Sequence, residues 1–276
     1  MPKARPSTPF QPCGVITLTT DFGHQDPFVG VMKGQVLRRF PAARLVDLTH
    51  EILVHWPAEA GFWLGRSFRY FPPGTVHVAV VDPGVGSSRD IALVEADSHL
   101  FLAPDNGLLA GVLERLESTP ILRRLEEGAL RNLGVHGPSA TFHGRDIFAP
   151  LAAELAAGRL RPEALGPLVR ELVPGRLAEP VLAGGQLSGV VVTVDHFGNL
   201  LTNLDAPLVA QVTRPVVLAG GQEIPLRRTY SEVPPGEYVA LVNSFGVLEI
   251  ARAEKSAAAG LGLGRGAPIV VSPRRG

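Results

Sequence analysis

The chain has a single cysteine, Cys13, among 276 residues, so no disulfide can form within it. This scarcity fits a reducing compartment. An excess of charge is missing as well, because 26 basic residues balance 26 acidic ones. A neutral balance argues against non-specific attraction to nucleic acid or to an anionic membrane surface. We therefore expect neither nucleic acid nor membrane as a partner.

Long apolar runs are also missing. No stretch approaches the roughly 20 apolar residues of a transmembrane helix, and residues 1–14 lack the apolar centre of a signal peptide. We therefore expect a cytoplasmic protein. Hydrophobic residues still make up 45% of the chain, which is enough to bury a sizeable core in one large or two ordinary domains.

Several familiar signatures are absent or out of context. No HExxH or CxxC occurs, and the glycine-rich VDPGVGSSR lacks the GxxxxGK[ST] of a phosphate-binding loop. The DFG that begins at Asp21 has no kinase-type glycine-rich loop or HRD before it. Asp21, Asp26, Asp82 and His143 carry ligand atoms that suit a metal, but their spacing does not single out a metal site. We expect no bound metal and no cofactor.

Apolar runs and helical periodicities alternate over the first half of the chain. Their order predicts an α/β domain with a largely parallel sheet. The predicted strands are 15–20, 45–48, 76–81, 91–95 and 100–102, and the predicted helices are 28–40, 57–70, 107–116 and 149–157.

The composition changes after residue 157. Residues 158–186 are rich in Pro, Gly and Arg, which is typical of a connector with one short helix. Short β-like runs separated by Gly and Pro follow, and they predict a small antiparallel β domain. These runs are 189–194, 216–218, 238–242 and 268–271.

Polar side chains collect where the predicted strands end. Asp21 follows the first strand and Asp82 the third. Ligands of parallel sheets bind beyond the carboxyl ends of the strands, so both aspartates are candidates for one cleft. Capping of a turn or a helix is the alternative for each.

Two further segments concentrate polar groups. TFHGRDIFAP contains His143, which titrates near neutral pH, next to Arg145 and Asp146, which form either part of a site or a structural ion pair. VDHFGNLLTN is either a second part of a site or a hairpin turn, because Asn and Gly favour turns. APDNGLL and NSFGVLEIA are similar polar entries to apolar segments.

The chain resembles the S-adenosylmethionine hydrolases, or hydroxide adenosyltransferases, which are grouped with the fluorinases and chlorinases. The resemblance runs through TLTTDFGHQDPFVGVMKG, LVDLTHEI, VAVVDPGVGSSR, FLAPDNGLL, TFHGRDIFAP, VDHFGNLLTN and NSFGVLEIA. It implies an N-terminal α/β domain over 1–175 and a C-terminal antiparallel β-barrel domain over 176–276. It also implies a homotrimer with active sites between subunits and cleavage of S-adenosyl-L-methionine by water into adenosine and methionine.

The resemblance also implies roles for individual residues. Asp82, Arg89 and His143 match the catalytic set of the hydrolytic members, and Asp21 matches the aspartate that holds the ribose hydroxyls. Phe28 departs from the fluorinases, which have a small polar residue there. The other implied substrate contacts are the pocket aromatics Trp56 and Phe197, the methionine or sugar contacts Asp195 and Asn199, and the methionine or adenine contacts Ser244, Glu249 and Arg252 through its neighbouring backbone.

These residue types suit the implied chemistry. Trp56 or Phe197 can attract the sulfonium by cation–π interaction, and either Asp82 or His143 can take the proton of water. A carboxylate at 4 Å would repel a halide by about 4 kcal/mol at an effective dielectric of 20, so Asp82 favours water over fluoride or chloride as the nucleophile. The alternatives are a non-catalytic S-adenosylmethionine or adenosine sensor, a halogenase, and a metal-dependent phosphatase or nuclease.

Overall fold

The computed structural model describes residues 9–274. The chain divides into two compact units between Arg176 and Leu177, here called the N-terminal and the C-terminal unit. The domain limits expected from the sequence, 1–175 and 176–276, stay a prediction. No helix within residues 9–274 is long and apolar enough to span a membrane.

The N-terminal unit contains a six-stranded sheet with the order β2-β1-β3-β5-β4-β6. Strands β2, β1, β3 and β5 run parallel to one another, whereas β4 pairs antiparallel with both β5 and β6. The predicted α/β class with a largely parallel sheet is therefore confirmed. The strands are β1 Val15–Thr20, β2 Arg44–Thr49, β3 Val76–Val80, β4 Ile91–Ala96, β5 His99–Pro104 and β6 Ile121–Arg124.

Helices pack against both faces of this sheet. Alternate residues of β3 point to opposite sides, so Val78 packs with Met32 of α1 in one core while Ala79 packs with Leu64 of α2 in the other. This burial on both faces explains why the strands are continuously apolar. The helices are α1 Phe28–Arg39, α2 Pro57–Ser67, α3 Ala110–Leu113, α4 Glu127–Asn132, a π-helix Gly144–Phe148 and α5 Ala149–Ala156, with short 3-10 turns at Phe68–Tyr70 and Pro162–Leu165.

The helix predicted over 107–116 is wrong in extent. Gly107 has a φ of +91°, and a Cβ built on it would lie 2.6 Å from the Pro174 carbonyl oxygen. The chain therefore turns at Gly107, and the helix covers only Ala110–Leu113. Gly111 within this helix permits close packing, because a Cβ on it would lie 2.7 Å from the carbonyl oxygen of Gly61 in α2.

The C-terminal unit is an antiparallel barrel that is nearly closed. Seven strands follow the order β11-β10-β14-β8-β9-β13-β12, and β7 pairs with β8. Leu226, directly after β11, pairs with Ala240 of β12 and brings the two ends together. The predicted antiparallel β-barrel is confirmed. Its elements are β7 Val181–Ala183, β8 Gln186–Val194, β9 Leu200–Asp205, α6 Ala206–Val209, β10 Pro215–Ala219, β11 Gln222–Pro225, a 3-10 turn Tyr230–Glu232, β12 Tyr238–Val242, β13 Val247–Arg252, α7 Ala257–Leu261 and β14 Pro268–Pro273.

Candidate active site

Two candidate aspartates leave the sheet at the same edge. Strands β1 and β3 are parallel neighbours, and Thr20 lies opposite Val80 in their register. Asp21 and Asp82 follow these two strand ends directly or after one residue. The sheet therefore positions both side chains at its carboxyl edge, where parallel sheets bind ligands.

Arg89 connects two other candidate residues of this unit, Asp82 and His143. Its Nε donates to both Asp82 carboxylate oxygens at 2.9 Å, and a terminal guanidinium nitrogen also donates to Asp82 Oδ2. The same terminal nitrogen lies 2.8 Å from Nδ1 of His143. The side chains of Asp82 and Arg89 are only 5% and 10% exposed. The three predicted catalytic residues thus form one hydrogen-bonded chain.

This arrangement fixes the tautomer of His143. A guanidinium has donors only, so Nδ1 of His143 must accept the hydrogen bond from Arg89. The neutral ring then carries its proton on Nε2. Burial, followed by the positive charge of Arg89, lowers the pKa of His143 below its usual value. At neutral pH, His143 is therefore a neutral imidazole that offers an Nε2–H donor.

The π-helix after His143 holds the segment in place. Arg145 forms a two-pronged ion pair with Asp146, at 2.6 and 2.8 Å, and Asp146 also accepts a hydrogen bond from the Ser139 backbone at 2.9 Å. These contacts agree with the structural alternative for Arg145 and Asp146. Single π-turns are frequent at functional sites.

Asp21, at the carboxyl edge of the sheet, also supports the turn at His55. Its Oδ2 accepts a hydrogen bond from the His55 backbone N–H at 2.9 Å, and His55 has the unusual φ of +63°. His55 and Trp56 line a pocket of about 100 Å³ together with Pro83 and Asn106. The buried Nε1–H of Trp56 has no hydrogen-bond partner among residues 9–274.

Asn106 is a site residue that the sequence analysis did not single out. Its side-chain nitrogen donates to the Val81 carbonyl at 2.9 Å, and its side-chain oxygen accepts from the Leu108 backbone at 3.3 Å. It therefore ties the APDNGLL segment to the residue before Asp82. The polar sequence APDN at the end of a strand could have identified Asn106 as a site residue.

The C-terminal unit brings Asp195 and Asn199 together. Asp195 Oδ1 accepts hydrogen bonds from the backbones of Phe197 and Asn199 at 2.9 and 2.8 Å, and its Oδ2 accepts from the Asn199 side chain at 3.0 Å. The residues form the hairpin turn between β8 and β9, as the structural alternative proposed. Phe197 is 75% exposed at its tip.

A second polar cluster of this unit surrounds Glu249. Its two carboxylate oxygens accept hydrogen bonds from the Tyr230 hydroxyl at 2.7 Å and from the Asn243 side chain at 3.0 Å. Burial raises the pKa of Glu249, and the negative charge of Asp195 adds to this. Sequence reasoning missed Tyr230, which lies in a loop without any periodic signal, and it quoted Asn243 only as part of NSFGVLEIA.

Two predicted contacts of this unit stand apart from that cluster. Ser244 is exposed in the turn before β13. The Arg252 side chain donates to the Gly236 carbonyl at 2.8 Å and lies over the Tyr238 ring at 5.0 Å. The guanidinium is thus used within the barrel, and the Arg252 carbonyl accepts a hydrogen bond from the Lys255 backbone at 3.0 Å.

The described residues differ from the side-chain groupings that bind metals. Within residues 9–274, no three His, Cys, Asp or Glu side chains are grouped so that they could hold a metal ion. The site therefore offers side-chain hydrogen bonds, a neutral imidazole and one carboxylate–guanidinium pair.

Two family profiles match this chain. The profile described as SAM hydroxide adenosyltransferase N-terminal domain matches residues 16–166, and the corresponding C-terminal domain profile matches residues 189–270. The chain belongs to this family.

Curated relatives of the chain fall into two groups by name. A protein of Thermus thermophilus and one of Salinispora arenicola, 40% and 36% identical, are both named (R)-S-adenosyl-L-methionine hydrolase; the matches cover 91% and 86% of this chain and 96% and 89% of the relatives. A protein of Actinoplanes sp. named fluorinase is 29% identical, and the match covers 86% of this chain and 90% of that protein. An uncharacterized conserved protein from Thermotoga maritima has a similar solved structure, with a TM-score of 0.84, 33% identity, and coverage of 93% of this chain and 99% of that one.

Proposed function

We propose that this protein hydrolyses S-adenosyl-L-methionine at ribose C5′, giving adenosine and L-methionine. The observation that carries the proposal is the hydrogen-bonded chain of Asp82, Arg89 and His143 at the carboxyl edge of the sheet. The names of the curated relatives support a hydrolase and point to the (R) configuration at sulfur.

The proposed reaction needs a base for water but no acid for the leaving group. Water oxygen forms a bond to C5′, the C5′–S bond breaks with its electron pair on sulfur, and methionine leaves as a neutral thioether. The remaining step is removal of one water proton. Alignment of the water behind C5′ contributes further to the rate.

Asp82 is the proposed proton acceptor. His143 Nδ1 is occupied by Arg89 and Nε2 already carries a proton, so neither ring nitrogen is free to accept. The Asp82 carboxylate keeps lone pairs beside those used by Arg89. In this proposal Nε2–H of His143 orients the water oxygen, and Arg89 holds both partners in position.

The other residues are proposed to bind the substrate. Asp21 holds the ribose hydroxyls, and Trp56 contacts the nucleoside or the sulfonium end from its pocket. From the C-terminal unit, the proposed contacts to methionine, sugar or adenine are Asp195, Phe197, Asn199, Ser244, Glu249 and the backbone near Arg252.

We also propose that the reaction uses no cofactor and that the protein forms a defined oligomer. S-Adenosyl-L-methionine is the substrate, and the water is activated by side chains alone. The resemblance supports a homotrimer with active sites between subunits, for which we expect a particle of three times the chain mass of 29.3 kDa in solution.

Isotopically labelled water tests the reaction. The purified protein is incubated with the (R) and (S) epimers separately, with EDTA present throughout, and the products are separated by chromatography and mass spectrometry. We expect the label in the 5′-hydroxyl of adenosine and none in methionine. No halogenated nucleoside should form when fluoride or chloride is added.

Three results would contradict the proposed reaction. Methylthioadenosine with labelled homoserine would mean that water attacks the methionine chain. Loss of turnover in EDTA with recovery on adding a divalent ion would mean that a metal activates the water. Binding of the substrate without any product would favour a sensor.

Asp21→Ala tests the proposed ribose contact. The change removes the acceptor for the ribose hydroxyls, and loss of a charged hydrogen bond weakens adenosine binding by about 10- to 100-fold. Turnover at saturating substrate should change less. Calorimetry with adenosine measures the affinity, and Glu51→Ala, an exposed carboxylate on the turn after β2, serves as the matched control. Equal affinity of Asp21→Ala and wild type would remove Asp21 from the site.

A further inference from the structure

Three phenylalanine rings form a cluster that the mechanism above does not use. Phe22, Phe28 and Phe142 meet edge to face, with ring centroids 6.1, 5.8 and 5.4 Å apart. Phe28 is 44% exposed, and the other two rings are half-buried. We call these three rings the Phe cluster. Phe28 therefore presents apolar ring surface to solvent, where a ligand could contact it.

The Phe cluster is built from the two segments that carry the proposed chemistry. Phe22 directly follows Asp21, and Phe142 directly precedes His143. A Cβ on Gly144 would lie 3.2 Å from a ring carbon of Phe142 and 3.4 Å from one of Phe22, so both rings rest on the residue after His143. The Phe cluster therefore lies between the segments that carry Asp21 and His143.

The Phe cluster has the chemistry to attract a sulfonium. The positive charge of a sulfonium is shared with its methyl group, and aromatic rings attract such groups electrostatically. One cation already lies near the cluster, since the Arg145 guanidinium is 5.2 Å from the Phe142 ring centre. Its charge is offset by the ion pair with Asp146 at 2.6 and 2.8 Å. Phe28, the exposed member, is the ring that remains for the substrate.

On the basis of the proposed function, we propose that the Phe cluster receives the S-methyl group of the substrate and so selects the configuration at sulfur. When the adenosyl C5′ is held, the two remaining sulfur substituents are methyl and the amino-acid chain. Inversion at sulfur exchanges the directions of these two substituents.

The two substituents differ in what the Phe cluster offers them. A methyl group gains apolar and cation–π contact there, whereas the carboxylate of the chain would lose water without gaining a partner. The cluster therefore favours the epimer that directs its methyl group toward Phe28. Because the relatives are named for the (R) epimer, we expect (R) to be the preferred epimer here.

Kinetics of Phe28 variants with both epimers test this inference. We expect Phe28→Leu and Phe28→Ala to lower kcat/KM for the preferred epimer by roughly five- to tenfold, with a similar fall in the ratio between epimers. Phe28→Tyr keeps the ring and should keep the ratio. Val31→Ala, also on the exposed side of α1, is the matched control and should leave both rates unchanged.

The outcomes separate this inference from the proposed function. An unchanged epimer ratio in Phe28→Leu and Phe28→Ala, or an equal fall for both epimers, overturns it. A change in particle mass with an unchanged ratio would assign the Phe cluster to contact with a second copy and also overturns it. Failure of the wild type to convert either epimer would overturn the proposed function itself.

Discussion

Asp82→Asn is expected to lower turnover of S-adenosyl-L-methionine by about three orders of magnitude, within the range for loss of a general base. The amide keeps the volume of the carboxylate but has no negative charge and little basicity. Affinity for adenosine should stay within about threefold of wild type, because the proposed ribose contact is Asp21. Steady-state kinetics and calorimetry measure the two quantities.

The pH dependence of the residual rate shows whether Asp82 acts as the base. Hydroxide needs no base, so the rate of Asp82→Asn should rise in proportion to hydroxide concentration where the wild-type rate is level. Asp90→Asn is the matched control, since Asp90 lies in the same loop with its carboxylate 3.4 Å from Arg124. Turnover of Asp82→Asn near the wild-type level would assign the proton to another group.

Local sequence patterns were enough to predict which residues lie at the carboxyl edge of the N-terminal sheet. Continuous apolar runs predicted β1 and β3, and the rule for parallel strands then placed Asp21 and Asp82 at one edge. The half-buried edge strand β6, with the sequence ILRR, has neither alternation nor a continuous apolar run. It was missed because its place is decided by pairing with β4 and not by its own pattern.

The contact between Arg89 and His143 was beyond local reasoning. The two residues are 54 positions apart, and their hydrogen bond depends on how the π-helix segment packs. The sequence left the base open between Asp82 and His143. The tautomer of His143, which favours Asp82 as the base, follows only from the contact with Arg89. The hydrogen bond between Tyr230 and Glu249, which are 19 positions apart, was equally out of reach of local sequence patterns.

Arg89→Ala is expected to lower turnover by about two to three orders of magnitude, because it releases Asp82 and His143 together. Arg89→Lys should recover little of this loss, since one ammonium cannot reproduce the planar fork that contacts both partners. Arg38→Ala is the matched control, because Arg38 is an exposed arginine of α1. Wild-type turnover in Arg89→Ala would contradict its proposed role.

The acid side of the pH profile distinguishes a positioning role for Arg89 from a loss of folding. Burial and then the Arg89 charge hold the pKa of His143 below its usual value, so the wild type keeps His143 neutral to a lower pH than an ordinary histidine. Removal of Arg89 deletes the second cause and leaves the Asp82 charge, which raises the pKa. Activity of Arg89→Ala should therefore fall at a higher pH than activity of the wild type.

The double variant tests whether the three residues act as one unit. If Arg89 works by holding His143 on the water, adding His143→Ala to Arg89→Ala should cost no more than about a further threefold. His143→Ala alone is expected to lose about two orders of magnitude, which is the scale of a lost orienting group. Independent roles would instead multiply the two losses. A multiplicative result in steady-state kinetics would mean that the hydrogen bond between Arg89 and His143 has no part in catalysis.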